Sequence, residues 1–156
     1  MGLGNLLLQD EGIGVHIVRR LKKLDLPENV TVIEAGTATL DTLLIHDKIT
    51  TLIVIDAART GHKSGTIYKA AFKAAEINKL AENLSNNSQL SLHQLGLAQA
   101  LDIAKKIGRA PEQIRIIVVE PEKIDYSLEL TEILKQKIPE IIETVLGEIK
   151  NAVHAE

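Results

Sequence analysis

This sequence of 156 residues predicts a three-layer α/β/α fold, a single domain over residues 1–156 with a twisted, mostly parallel sheet. Three observations predict it. Short β-branched runs alternate with segments of helical periodicity, the order that builds a doubly wound sheet. Two of those runs are almost continuously apolar, as strands covered on both faces must be. Apolar residues make up 45% of the chain and aromatic ones only 2%, so the interior has to be packed from Ile, Leu, Val and Ala. The length suffices for one such core and is short for two.

The elements follow in order. The chain opens "GLGNLLLQDEGIGVH", Gly2 to His16, where a doubly wound fold needs a strand before the first glycine turn. Only Met1 precedes Gly2, so the first strand is read as truncated. Ile13, Ile17, Leu21 and Leu24 recur at helical spacing opposite His16, Arg20 and Lys23, which predicts a helix over 13–24. "NVTVIEA" (29–35) reads as the next strand, Gly36 and Thr37 as a turn with an N-cap, and 38–46 as a helix burying Leu40, Leu43 and Leu44. "TTLIVIDA" (50–57) and "QIRIIVVE" (113–120) are the two apolar strands, and "GTIYKA" (65–70) adds an edge strand. "NLSNNSQL" (83–90) is a polar surface loop; the helix after it starts on Ser91 as N-cap and stops at Gly108. A last helix begins near Leu130, and Pro139 either kinks it or starts its main segment.

Composition excludes several functions. Net charge is −3 with the basic residues dispersed, and aromatic platforms are scarce, so nucleic acid is not a partner. The absence of cysteine removes disulfides, thiolate metal sites and thiol nucleophiles, and leaves His and carboxylates as metal ligands. No apolar stretch reaches the length of a membrane span and no leader pattern is present, so the expectation is a cytoplasmic protein, a monomer, without membrane insertion.

The opening glycines fail as a dinucleotide loop, because Leu7 stands where the third glycine belongs. "GHKSG" (61–65) lacks phosphate-loop spacing and reads as a flexible turn. Asp10 and Glu11 precede a helix, where acids commonly cap and complement the dipole. Gly12 and Gly14 beside Glu11 favour the alternative, a cleft whose backbone approaches a ligand. Asp56 ends the most apolar strand, at the carboxyl edge where open α/β sheets bind ligands, although a plain loop aspartate is the commoner outcome. His93 falls in the first turn of a helix, either as a surface imidazole or as a ligand, and His62 lies six residues after Asp56. Glu11, Asp56 and His93 all fall at one edge of the sheet; an acid, acid, imidazole set without thiol suits Zn²⁺, Ni²⁺ or a similar cation.

Those residues sit in motifs with a family resemblance. "GLGNLLLQDEGIGVHIV" resembles the G-x-G-N-x-L-x-x-D-[DE]-[AG]-x-G signature of the hydrogenase maturation endopeptidases. "EAGTATLDTLL", "VIDAARTGHKSGTI", "SLHQLGLAQAL" and "VVEPEKIDYSLELT" continue the resemblance in order over nearly the whole chain. It implies an endopeptidase that removes a C-terminal extension from a [NiFe] hydrogenase large-subunit precursor after nickel insertion. The family's metal-contacting glutamate, aspartate and histidine carry over by motif to Glu11, Asp56 and His93, with catalytic roles, and Gly4, Asn5, Asp10, Gly36 and Thr37 are expected to shape the cleft. Nickel is expected to arrive with the substrate, and another divalent metal such as Zn or Cd can take the same ligands. Two departures are visible: the strand before the first glycine is missing, and Gln99 stands where the family often has aspartate. A non-catalytic metal- or precursor-binding adaptor on the same fold is the rival expectation, and a metal-independent hydrolase is a third.

Overall fold

The computed structural model describes residues 1–46, 49–76 and 92–154, with backbone alone for 92–95. The elements are β1 (Gly2–Leu3), a 3-10 turn (Gln9–Gly12), α1 (Ile13–Leu21), β2 (Glu34–Gly36), α2 (Thr39–Ile45) and β3 (Thr51–Ala57). There follow β4 (Ile67–Lys73), a second 3-10 turn (Ala74–Glu76), α3 (Leu92–Lys106), β5 (Gln113–Val119) and α4 (Glu132–Val153). The five strands lie in the order β2-β1-β3-β5-β4. All neighbours are parallel except β4, which returns antiparallel along β5 from Ile67↔Val119 to Lys73↔Gln113. The sheet class and its edge strand are therefore as the sequence predicts.

Side chains alternate across the strands and split the core in two. Ile55, Ala57, Ile117 and Val119 face α1 and α4, packing on Ile13, Ile17, Leu21, Leu134 and Ile141. Leu52, Val54, Ile114 and Ile116 face the other way, onto Leu43 of α2 and Leu97 and Leu101 of α3. Asp56 shares the pleat parity of Leu52 and Val54, so it belongs to the face covered by α2 and α3.

Three expectations are corrected. β2 is three residues, not the seven of "NVTVIEA", because its neighbour β1 offers only two residues to pair with. That short β1 is nonetheless central: Met1 O accepts the N–H of Ile55 at 2.9 Å, and Gly2 N–H reaches Ile33 O at 2.9 Å. α1 ends at Leu21; Lys23 and Leu24 close its last turn with tighter bonds to Arg20 O and Leu21 O, and Leu24 is left exposed. Pro139 starts no new segment and lies inside one continuous helix. An interior proline costs about 3 kcal/mol. Leu134, Ile138, Ile141, Val145 and Ile149 bury one stripe of α4, at about 1.5–3 kcal/mol each, and outweigh it.

The stop at Gly108 holds. With φ at 72°, its N–H bonds Lys105 O at 3.1 Å while Arg109 N–H bonds Ala104 O at 2.7 Å, the paired bonds of a Schellman cap. The 83–90 loop and the Ser91 cap lie outside the described residues. Among the described residues no helix is long and apolar enough to cross a membrane.

Candidate active site

Parallel strands align their carboxyl ends, so the segments leaving β1, β3 and β5 meet at one edge of the sheet. The first of these segments is built on glycine. Gly4 has φ of 123°, and a Cβ there would lie 1.9 Å from Glu11 O, so only glycine lets the 3-10 turn close over the end of β1. Gly14 admits the same closeness one turn later, since its Cβ would sit 2.2 Å from Ile55 O. The space beside Glu11 is thus filled by the protein's own backbone. This corrects the expectation that Gly12 and Gly14 clear room for a ligand. Asn5 accepts Leu7 N–H on Oδ1 at 3.0 Å and folds the connection into a turn.

Asp10 and Glu11 then part company. Asp10 is fully buried. Its Oδ2 accepts the N–H groups of Glu122 and Lys123 at 2.9 and 3.0 Å, and its Oδ1 accepts Thr131 N–H at 2.8 Å. The Thr131 hydroxyl lies 3.0 and 2.9 Å from the two oxygens. Asp10 therefore does not cap α1, whose N-cap position is Gly12 with no side-chain bond. It ties the first turn to the chain after β5 and to the N-cap residue of α4. Glu11, half-buried, has its Oε2 shut away from solvent with no hydrogen-bond partner among the described residues.

Asp56 is 1% exposed, and its Oδ1 accepts Ala57 N–H at 2.9 Å. Through the pairing of Gly2 with Ile55 it lies one residue along from the β1 contact, beside the strand from which Glu11 departs. The backbone of His93 lies in the first turn of α3, on the sheet face to which Asp56 belongs. Its side chain is outside the described residues, and among those described no three His, Cys, Asp or Glu side chains are placed to hold a metal. The chemistry of the donors nevertheless fits a cation: Glu11 carries a buried carboxylate oxygen that the described protein leaves unsatisfied.

Gly36 takes φ of 55° and its carbonyl accepts Gly4 N–H at 3.0 Å, so it braces the same turn. Thr37 is exposed and does not cap α2, whose N-cap is Ala38 without a side-chain bond. With Leu40, Gly96, Gln99 and Ala100 it lines a groove between α2 and α3. His16 is half-buried; burial first, then Arg20 and Arg19, hold its pKa below the usual histidine value.

Sequence reasoning missed Glu120. It comes directly after β5, two positions past the Val118 that pairs with Asp56, and the acid that ends the run "QIRIIVVE" was the signal. Glu120 is 4% exposed and accepts Thr60 N–H at 2.8 Å, Gly61 N–H at 3.3 Å and the Thr60 hydroxyl. Burial alone raises its pKa, but hydrogen bonds from Thr60, Gly61 and His62 outweigh that and leave it below the ordinary value. The 61–65 segment is consequently no loose turn: Gly65 N–H bonds Glu120 O at 2.8 Å and Glu120 N–H bonds Thr66 O at 2.9 Å.

Acidic side chains at the carboxyl edge of a mostly parallel sheet define an α/β protein with its candidate site in the usual place for that architecture. The sequence model of the hydrogenase maturation protease family matches residues 15–148. The chain is 31% identical over 153 residues to the hydrogenase 2 maturation protease of Escherichia coli (strain K12), covering 97% of this chain and 90% of that protein. It is 31% identical to the hydrogenase expression/formation protein HupD of Rhizobium leguminosarum bv. viciae, over 97% of this chain and 73% of that one. The solved structure of the hydrogenase maturating endopeptidase HybD from E. coli superposes with a TM-score of 0.84 at 30% identity, covering 97% of this chain and 90% of that one. The chain belongs to the hydrogenase maturation protease family and is a protease.

Proposed function

We propose that this protease removes the C-terminal extension of a [NiFe] hydrogenase large-subunit precursor after nickel insertion, and that Glu11, Asp56 and His93 engage the nickel carried by that substrate. The observation that carries the reading is the buried Oε2 of Glu11, without a hydrogen-bond partner among the described residues, at the sheet edge near which Asp56 lies in β3. A carboxylate oxygen kept from water without a hydrogen bond is costly unless a cation or donor arrives to meet it. Two carboxylates and an imidazole match the ligand preference of nickel, and Zn or Cd can take the same donors.

The division of labour follows from burial. Glu11 and His93 fix the metal-bearing end of the substrate and so place the scissile bond over the edge of β3. Asp56, buried and held by Ala57 N–H, is the group assigned to orient a water or take its proton. With no cysteine in the chain, an acyl-enzyme through a thiol is excluded. The substrate is a cytoplasmic protein in this reading, and one protomer supplies the whole site.

Incubation of the purified protein with nickel-loaded and nickel-free precursor, read as a shift to mature size on a gel, tests this. Shortening of the nickel-loaded form alone is the expected result. Binding without shortening would make the protein an adaptor, and equal shortening of the nickel-free form would remove the metal from recognition.

A further inference from the structure

The loop between β3 and β4 holds an imidazole that the reading above does not use. Thr60 Oγ1 lies between two partners, donating to Glu120 Oε2 and standing 3.1 Å from His62 Nδ1. A hydroxyl has one proton and a carboxylate accepts only, so the Thr60 proton is committed to Glu120. His62 Nδ1 must then be the donor to Thr60, which leaves the lone pair on Nε2. Glu120 stays ionised over the working range, since its hydrogen bonds outweigh burial and keep its pKa low.

The imidazole is also fixed in orientation. The Tyr68 ring of β4 packs against it at 5.2 Å between centroids, tilted by 58°. Glu120 binds the loop on both sides of His62, through Thr60 and Gly61 before it and Gly65 and Thr66 after it. His62 is exposed, so this framework serves no need of its own burial. Its consequence is an acceptor held in one tautomer and one direction, six residues beyond Asp56 at the same sheet edge. The order Glu, Thr, His is not that of an activated nucleophile, because the hydroxyl proton points at the acid rather than the imidazole.

From this geometry we infer that His62 is a substrate-positioning residue at the carboxyl edge of the sheet, presenting Nε2 as acceptor to an N–H of the peptide being processed, with Thr60 setting its tautomer. The inference rests on the proteolytic reading above. Preorganisation is the physical gain, because an acceptor already oriented loses little freedom on binding.

Steady-state processing of the precursor, with equilibrium binding by fluorescence anisotropy, tests it on wild type, His62→Ala, His62→Gln and Thr60→Val. Loss of one hydrogen bond predicts that His62→Ala raises KM and Kd about tenfold with kcat within about twofold. His62→Gln, whose amide oxygen still accepts, is expected to recover most of the affinity, and Thr60→Val to fall between. Wild-type KM and Kd in His62→Ala overturn the proposal while leaving the protease reading intact. A Thr60→Val protein equal to wild type removes the tautomer argument. Should the wild type bind precursor without cutting it, the protease reading fails and the Kd series alone decides the role of His62.

Discussion

Asp10 gives both carboxylate oxygens to the N–H groups of Glu122, Lys123 and Thr131. Glu11, next along the same 3-10 turn, keeps one oxygen buried without a hydrogen-bond partner among the described residues. The two acids share charge, neighbourhood and backbone. They differ in whether the chain itself repays the cost of taking a carboxylate out of water, which is several kcal/mol per ion. Asp10 is repaid by donors over a hundred residues away, so it acts in folding: it fixes where the first turn sits against the start of α4. Glu11 is not repaid within the described structure, and the balance is left for something that binds. Adjacent residues of one type can therefore divide into one that builds a site and one that serves it.

That division can be broken experimentally, and the largest effect is expected at Asp10. Asp10→Ala leaves the N–H groups of Glu122, Lys123 and Thr131 and the Thr131 hydroxyl without their buried acceptor, and a loss of about 3 kcal/mol is expected in urea unfolding. A loss below about 1 kcal/mol would show that the turn is held by other means. Gly4→Ala comes next. It puts a methyl into Glu11 O at a φ of 123°, and about 2–3 kcal/mol of stability should be lost. Because the clash is with Glu11 itself, processing should fall with stability; full activity in a destabilised Gly4→Ala protein would detach the position of Glu11 from that glycine.

Glu120 offers a smaller effect with a pH signature. Its folded pKa lies below the unfolded value of 4.5, so its contribution is fully present above that value and is lost as pH falls through the folded pKa. Glu120→Gln should therefore cost about 1–2 kcal/mol near neutrality, and the gap to wild type should close in acid. A difference independent of pH would mean that the ionised form is not what the loop donors hold. Glu11 is the one acid of the set whose loss should not destabilise. Glu11→Gln removes a charge whose buried oxygen has no partner among the described residues, so stability in urea unfolding should hold or rise by about 1 kcal/mol, and a loss of that size would show that the charge is already paired.

What was legible in the sequence follows the same divide. β3 and β5 could be read because their apolar runs are local signals, and Gly108 because a helix stop is encoded at one position. β2 could not be delimited, since its length depends on how much partner β1 supplies. Of the two readings of Pro139, the start of a new segment failed for a related reason: the burial that keeps α4 continuous comes from the other helix and the sheet. Glu11 and Asp56 were singled out through their motifs. The employment of Asp10 was not, because its donors lie at 122, 123 and 131, and no local pattern records so distant a pairing. Glu120 escaped for want of a motif, although it directly follows a buried strand whose last residues pair with Asp56 and Ala57.

The contrast between the two acids reduces to one measurement: processing of nickel-loaded precursor by Glu11→Gln, with its urea midpoint determined on the same preparation. The account predicts cleavage slowed by about a hundredfold or more at an unchanged or raised midpoint, as expected when a ligand that places the reacting bond is removed. Cleavage at the wild-type rate with the midpoint unchanged would contradict it, and would return Glu11 to the ordinary acids of a helix start.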